Sequence, residues 1–175
     1  MDDARLQRWA ERMFGEDGHK LIAASDAASP YESYVEMQTL RAFREPTARL
    51  LDAQSAFAPV YAYRFYWRSP AAGGVFGSCH AIELGFVFGS HRLKGPDNFF
   101  GKGEVPDAIN LNMMQAWTSF ARSGAPLVDG SAWPQRKSDQ PKHVVFGGGN
   151  AVASAIEDCA RATAWRDLPD SRVGV

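Results

Sequence analysis

Ser78, Cys79 and His80 stand side by side, two nucleophile-type side chains next to an imidazole. A hydroxyl or thiol beside a base is the start of covalent catalysis: the base removes the proton and the oxygen or sulfur attacks an electrophilic carbon. Adjacent side chains diverge in extended and in helical backbone, so His80 is badly placed to deprotonate Cys79. The three residues alone do not make a self-contained Cys–His site, which needs geometry as well as residue types. No G-x-S-x-G nucleophile elbow occurs, nor a P-loop, a G-x-G-x-x-G after a strand, or an H-E-x-x-H pair. Cys79 and Cys159 are the only cysteines, too few for a zinc set, and they read either as a disulfide or as two buried thiols. Neither a metal nor a cofactor is therefore expected.

Three other histidines, His19, His91 and His143, read as surface or satisfied core residues, and on spacing alone so would His80. Its context sets it apart. Residues 59–67, PVYAYRFYW, are rich in aromatic and β-forming residues and apolar on both faces except at Arg64. This is the pattern of a strand inside a sheet covered on both sides. A loop with Pro70, Gly73 and Gly74 follows, and then HAIELGFVFG, short enough to be a brief helix or a turn. Open α/β sheets gather functional groups on loops beyond the carboxyl ends of their strands, which is where His80 falls.

Other segments supply the frame. Leu6, Trp9 and Met13 suggest a helix over 3–14 closed by Gly15 and Gly18. A second helix is expected over 31–44, interrupted by Pro46, and a third over 47–57. The clearest helix is 106–123, where Ile109, Met113, Trp117 and Phe120 form one stripe, assigned to the core, and Gly124 stops it. Asp107 and Glu104 read as helix-start charges, and Arg161 and Arg166 as part of a solvated face. A turn-rich loop with Trp133-Pro134 leads to a short strand, 144–146, ended by glycines 147–149, and a weak helix is expected over 151–165. One long and one short strand are too few for a stable sheet, which hints that the chain belongs to something larger.

The 175 residues carry 19 Lys and Arg against 20 Asp and Glu, a balance that excludes a strongly basic nucleic-acid binder. Hydrophobic residues at 45% and charged residues at 22% fit a folded globular chain that can bury a core. No run nears the roughly 18 apolar residues of a membrane span. The start, MDDARLQRWAERMFG, is charged and lacks the apolar stretch of a signal peptide. It favours the cytoplasm unless a leader lies upstream.

GSCHAIELGFVFG resembles the block around the catalytic histidine of type B carboxylesterases, the family of the cholinesterases and bacterial para-nitrobenzyl esterases. His80, Ala81, Ile82, Glu83, Leu84, Phe86, Val87, Phe88 and Gly89 all match that pattern. APVYAYRFYWRSP at 58–70 is similar to the strand before that histidine. The Phe43, Pro46, Leu50 and Ala53-Gln54 spacing resembles the preceding helix. AWTSFARSGAP at 116–126 resembles the family's AWxxFAxTGxP, with Ser123 for Thr and Ala125 for Asp or Asn. Trp133-Pro134 and Val145-Phe146 are similar to the family's following Trp-Pro and edge strand, so nearly the whole chain is covered in order.

The resemblance implies an α/β fold: residues 1–175 as the C-terminal portion of an α/β-hydrolase fold, an incomplete sheet with flanking helices. It implies His80 as the base of a serine triad and Glu83 as a support of the histidine loop. The serine nucleophile, the triad acid and the oxyanion loop have no match here; in the family they lie upstream, and Glu11 and Glu16 are acids in name only. The expected partners are a small-molecule carboxylic ester in the complete enzyme and the missing N-terminal half, with self-association of the isolated chain in its absence. Ester hydrolysis is expected of the complete protein and not of this chain alone. The rival expectation is a catalytically dead hydrolase-fold module that binds or interacts.

Overall fold

A computed structural model describes residues 1–93, 98–148, 150–154 and 164–173. The chain divides into two compact units, Met1–Phe57 with Glu157–Val175, and Ala58–Ile156.

The first unit is helical. Helix α1 (Asp3–Phe14) is capped by the Asp2 carboxylate, which accepts from the Arg5 N–H at 2.8 Å, and Gly15 ends it. Leu6, Ala10 and Phe14 are its buried stripe, with Trp9 and Met13 packing at the border. Gly18 is not a terminator. It is buried in α2 (Asp17–Ala23), where an added Cβ would lie 2.7 Å from the Ala10 backbone, so the glycine lets two helices meet.

Helix α3 (Pro30–Thr39) starts with Ser29 as N-cap accepting from Glu32 N–H, while Glu32 accepts from the N–H of Ala28, one residue before the cap, and Pro30 stands in the first turn. The expected interruption at Pro46 is absent. A π-helical turn, Leu40–Arg44, carries the backbone into α4 (Glu45–Gln54), and the Glu45 N–H reaches the Leu40 carbonyl. Widening the turn accommodates a residue without an N–H, so proline passes without breaking the helix. Leu50 on α4 is exposed. Arg49 ties α4 to the chain's last described segment. Its guanidinium donates to the carbonyls of Trp165, Arg166 and Leu168 and pairs with Asp170. Trp165, Leu168 and Val173 thereby join the core of Leu6, Phe14, Leu21, Met37 and Leu40.

The second unit holds the sheet. Strand β1 (Tyr63–Phe65) pairs in parallel with β4 (His143–Gly148), Tyr63 opposite Val144 and Phe65 opposite Phe146. Regular pairing covers less than the expected 59–67, yet Val144 N–H reaches Ala62 and Tyr66 N–H reaches Phe146, so the ladder runs past both ends. Strand β4 runs into the glycines expected to end it and stops at Gly148. Gly147 has φ +150°, and a Cβ there would lie 2.9 Å from the Tyr66 and Trp67 backbone, so glycine is what lets β1's continuation pass. Strand β5 (Asn150–Ser154) pairs antiparallel to β4. It replaces the start of the helix expected over 151–165; residues 155–163 of that range, with Cys159 and Arg161, lie outside the described residues. The sheet order is β1-β4-β5, so the far edge of β1 has no strand beside it among the described residues.

Between these strands come α5 (Leu84–Val87) and α6 (Glu104–Ser123), the latter ended by Gly124 in the left-handed conformation. Pro106, Ile109, Asn110, Met113 and Ala116 form the buried face of α6. Phe120, assigned to the core from the sequence, is half exposed with its ring T-shaped against Tyr61, while Trp117 packs at the core's margin. The stripe turns toward Ala116 and leaves Phe120 at its rim. A hairpin of β2 (Leu127–Val128) and β3 (Ser131–Ala132) stands where a loop was expected, its turn made by Asp129 and Gly130 at positive φ.

Candidate functional site

The loop between β1 and α5 is built by its own backbone. Ser69 N–H bonds the Gly77 carbonyl at 2.9 Å and closes a lariat over residues 69–77, with Ala72 and Gly73 inside it at positive φ. Ser69, fully buried, donates through its hydroxyl to Phe99 O at 2.7 Å, and Trp67 donates its indole N–H to Phe100 O at 3.0 Å. Ser78 then ties the loop back to the sheet, its hydroxyl donating to the carbonyl of Phe65, the last residue of β1, at 3.2 Å.

His80 is exposed and lies in a turn just after this tether, on a loop beyond the carboxyl end of β1, where the strand reading placed it. Cys79 beside it is a half-buried free thiol. Ala81 has φ +66°, in the region that costs an L-residue roughly 1–2 kcal/mol. That left-handed step reverses the chain between the exposed imidazole and Ile82, which is 1% exposed. Glu83 opens α5 by accepting at its carbonyl from the N–H groups of Phe86 and Val87. Its carboxylate acts on Tyr63: burial, and then the Glu83 charge, push the phenol pKa up. Phe86, fully buried, is the loop's second anchor, ringed by Phe65, Phe100 and His91 at centroid distances of 5.5, 5.6 and 5.5 Å. Val87 packs at the margin of the same core, and Phe88 is exposed.

A cluster that sequence reasoning missed stands beside this anchor. Asp107, read as a helix-start charge, receives His91 Nε2 at 2.9 Å and the two-pronged Arg92 guanidinium, whose Nε lies 2.7 Å away. His91 is buried, with its Nδ1 enclosed and lacking a hydrogen-bond partner. The carboxylate only accepts, so the tautomer that satisfies the contact carries its proton on Nε2. Nothing in the spacing of a histidine and an aspartate 16 positions apart signals such a pair. Among the described residues no three His, Cys, Asp or Glu side chains converge as a metal cage, and no helix is long and apolar enough to cross a membrane.

The hydrogen bonds from Arg92 and then His91 lower the Asp107 pKa from 3.8 to about 2. A depressed carboxylate contributes stability that is fully present above its unfolded pKa and lost as pH falls through the folded value. The stability difference between wild type and Asp107→Asn is therefore expected to stay constant above about pH 5 and to narrow between pH 4 and 2. Urea midpoints measured across this range check it, and a pH-independent difference would contradict it.

Residues 7–160 match the carboxylesterase family. The para-nitrobenzyl esterase of Bacillus subtilis is 36% identical over 108 residues, 59% of this chain and 21% of that protein. An acetylcholinesterase of Leptinotarsa decemlineata is 34% identical over 119 residues, 65% of this chain and 18% of that protein. Among solved structures, a carboxylesterase of Geobacillus stearothermophilus superposes with a TM-score of 0.76 at 30% identity, covering 94% of this chain and 34% of that one. The chain thus spans between about a fifth and about a third of the length of these relatives. It belongs to the carboxylesterase family, type B, and carries part of that family's α/β-hydrolase fold.

Proposed function

We propose that this chain supplies the general base of a serine carboxylesterase and that the base is His80. The reading rests on one observation above all: an exposed imidazole on a loop beyond the end of a parallel strand, tethered before by Ser78 and locked after by an αL residue and two buried side chains, Ile82 and Phe86. A strained, over-determined backbone around an exposed titratable group is typical of functional sites. Family membership supplies the chemistry. The histidine takes the proton of a serine hydroxyl as its oxygen adds to the ester carbonyl carbon. It then returns that proton to the departing alkoxide as the C–O bond breaks, leaving an acyl-enzyme and an alcohol. A water molecule, deprotonated by the same base, releases the acid and restores the serine.

The serine, the acid and the oxyanion donors come from a polypeptide part equivalent to the upstream region of the relatives. The edge of β1 that has no strand beside it among the described residues is the natural seam for its strands, and by itself such an edge favours self-association. Glu83 serves the site indirectly, by starting α5.

Complementation tests the reading. The chain, mixed with a separately expressed upstream part of the B. subtilis para-nitrobenzyl esterase bearing the serine, should form a complex that hydrolyses 4-nitrophenyl butyrate. Each part alone should be inactive, because a base without a nucleophile or oxyanion hole supplies little rate. Strong hydrolysis by this chain alone would overturn the reading.

A further inference from the structure

We propose that Asn110, His91 and Asp107 are positioning residues for His80, a polar clamp that sets α5, and through it the histidine loop, against α6. This rests on the reading of His80 as the base.

Asn110 is on the buried face of α6 and donates its side-chain N–H to the carbonyl of Phe86 at 2.6 Å. That carbonyl is in the last turn of a four-residue helix, too short to hold itself in place. His91 secures the same point from the other side. Its ring stacks on Phe86 at an interplanar angle of 21°, and its backbone N–H, with that of Ser90, bonds the Gly85 carbonyl at 2.9 and 2.8 Å. Asp107, one turn before Asn110 on α6, fixes the His91 ring through Nε2. Two residues of one rigid helix therefore grip α5, one directly and one through an imidazole.

The grip reaches His80 along the backbone. Phe86 N–H bonds the Glu83 carbonyl, Leu84 N–H bonds Ala81, and Ile82 N–H bonds Cys79, so each turn from 79 to 86 hangs on the next. At the other end Phe86 meets Phe65, whose carbonyl holds Ser78. His80 is thus spanned between two fixed points, and loss of the α6 grip frees one of them. The apolar packing of Phe86 sets its depth but not the azimuth of a four-residue helix; the directional bonds from Asn110 and His91 set that.

The test uses Asn110→Asp, which keeps the shape and turns a donor into a carboxylate facing the Phe86 carbonyl, and Asp107→Asn as a second variant should the first fail to fold. In the complex described above, with active serine counted by a tight-binding inhibitor, kcat per site should fall about 10- to 100-fold with KM unchanged, since a displacement near 1 Å can cost a catalytic group that much. In the chain alone, the backbone order parameters of residues 80–83 should fall from about 0.85 toward 0.6. A merely structural role would lower the melting temperature and the titratable serine while leaving kcat per site intact, and that result would overturn the proposal. His80→Ala is run in parallel. If it abolishes turnover while both clamp variants retain kcat, the clamp fails and the base assignment stands. If it leaves turnover intact, the base assignment fails, and the order parameters decide the clamp on their own: lost order upholds it, unchanged order overturns it.

Discussion

Replacing His80 by alanine in the assembled enzyme is expected to lower kcat/KM by about 10⁴-fold or more. At 1.36 kcal/mol per factor of ten this is roughly 5 kcal/mol of transition-state stabilisation. The size follows from the role proposed for the imidazole. Without it the serine attacks as a neutral hydroxyl and the alkoxide leaves unprotonated, so both halves of the reaction lose their proton transfer, while oxyanion stabilisation and binding persist. Ester binding should change little, so the loss belongs in kcat. A decrease of less than tenfold in a complex whose stoichiometry is intact would assign the base elsewhere.

The largest expected effect on stability is at Phe86. Phe86→Ala should destabilise the second unit by about 3–5 kcal/mol, the usual cost of emptying a fully buried phenylalanine site. The surroundings resist collapse: Phe65 belongs to β1, Phe100 lies against Gly85, and His91 is held by Asp107. The cavity therefore stays largely open, which puts the cost in the upper part of the range. At a urea dependence of 1–3 kcal/mol per molar, the unfolding midpoint should fall by about 2 M. A loss below about 1 kcal/mol, on the scale of an ordinary surface substitution, would show that the α5 anchor is not a packing element.

Where local physics decides, the sequence was readable. Helix α6 has a long apolar stripe and a glycine stop, and β1 is apolar on both faces, so both could be placed without a structure. The position of His80 followed from the strand and the glycine-rich loop after it, and GSCHAIELGFVFG pointed to the family. Pairings between distant segments were harder to see. Strand β5, Asn-Ala-Val-Ala-Ser, has two alanines that favour a helix and only one β-branched residue, and β4 overrides that preference by pairing with it. The β2–β3 hairpin could have been found, since Asp129-Gly130 is a strong turn pair. Pro46 misled because a helix can absorb a proline by widening one turn, and no local signal marks which helices will. Asp107 misled for a different reason: a first-turn acid is fully explained by the helix dipole, so its partners His91 and Arg92 went unsought.

The most direct measurement on the assignment of His80 is the rate at which a sulfonyl fluoride modifies the serine of the upstream part. This reagent needs the activated hydroxyl but no ester specificity, so it reports the base alone. Adding the wild-type chain should accelerate modification by several orders of magnitude, saturating at one chain per serine, and the His80→Ala chain should bind equally well yet leave the serine inert. Equal rates of modification with the wild-type and His80→Ala chains would contradict the assignment.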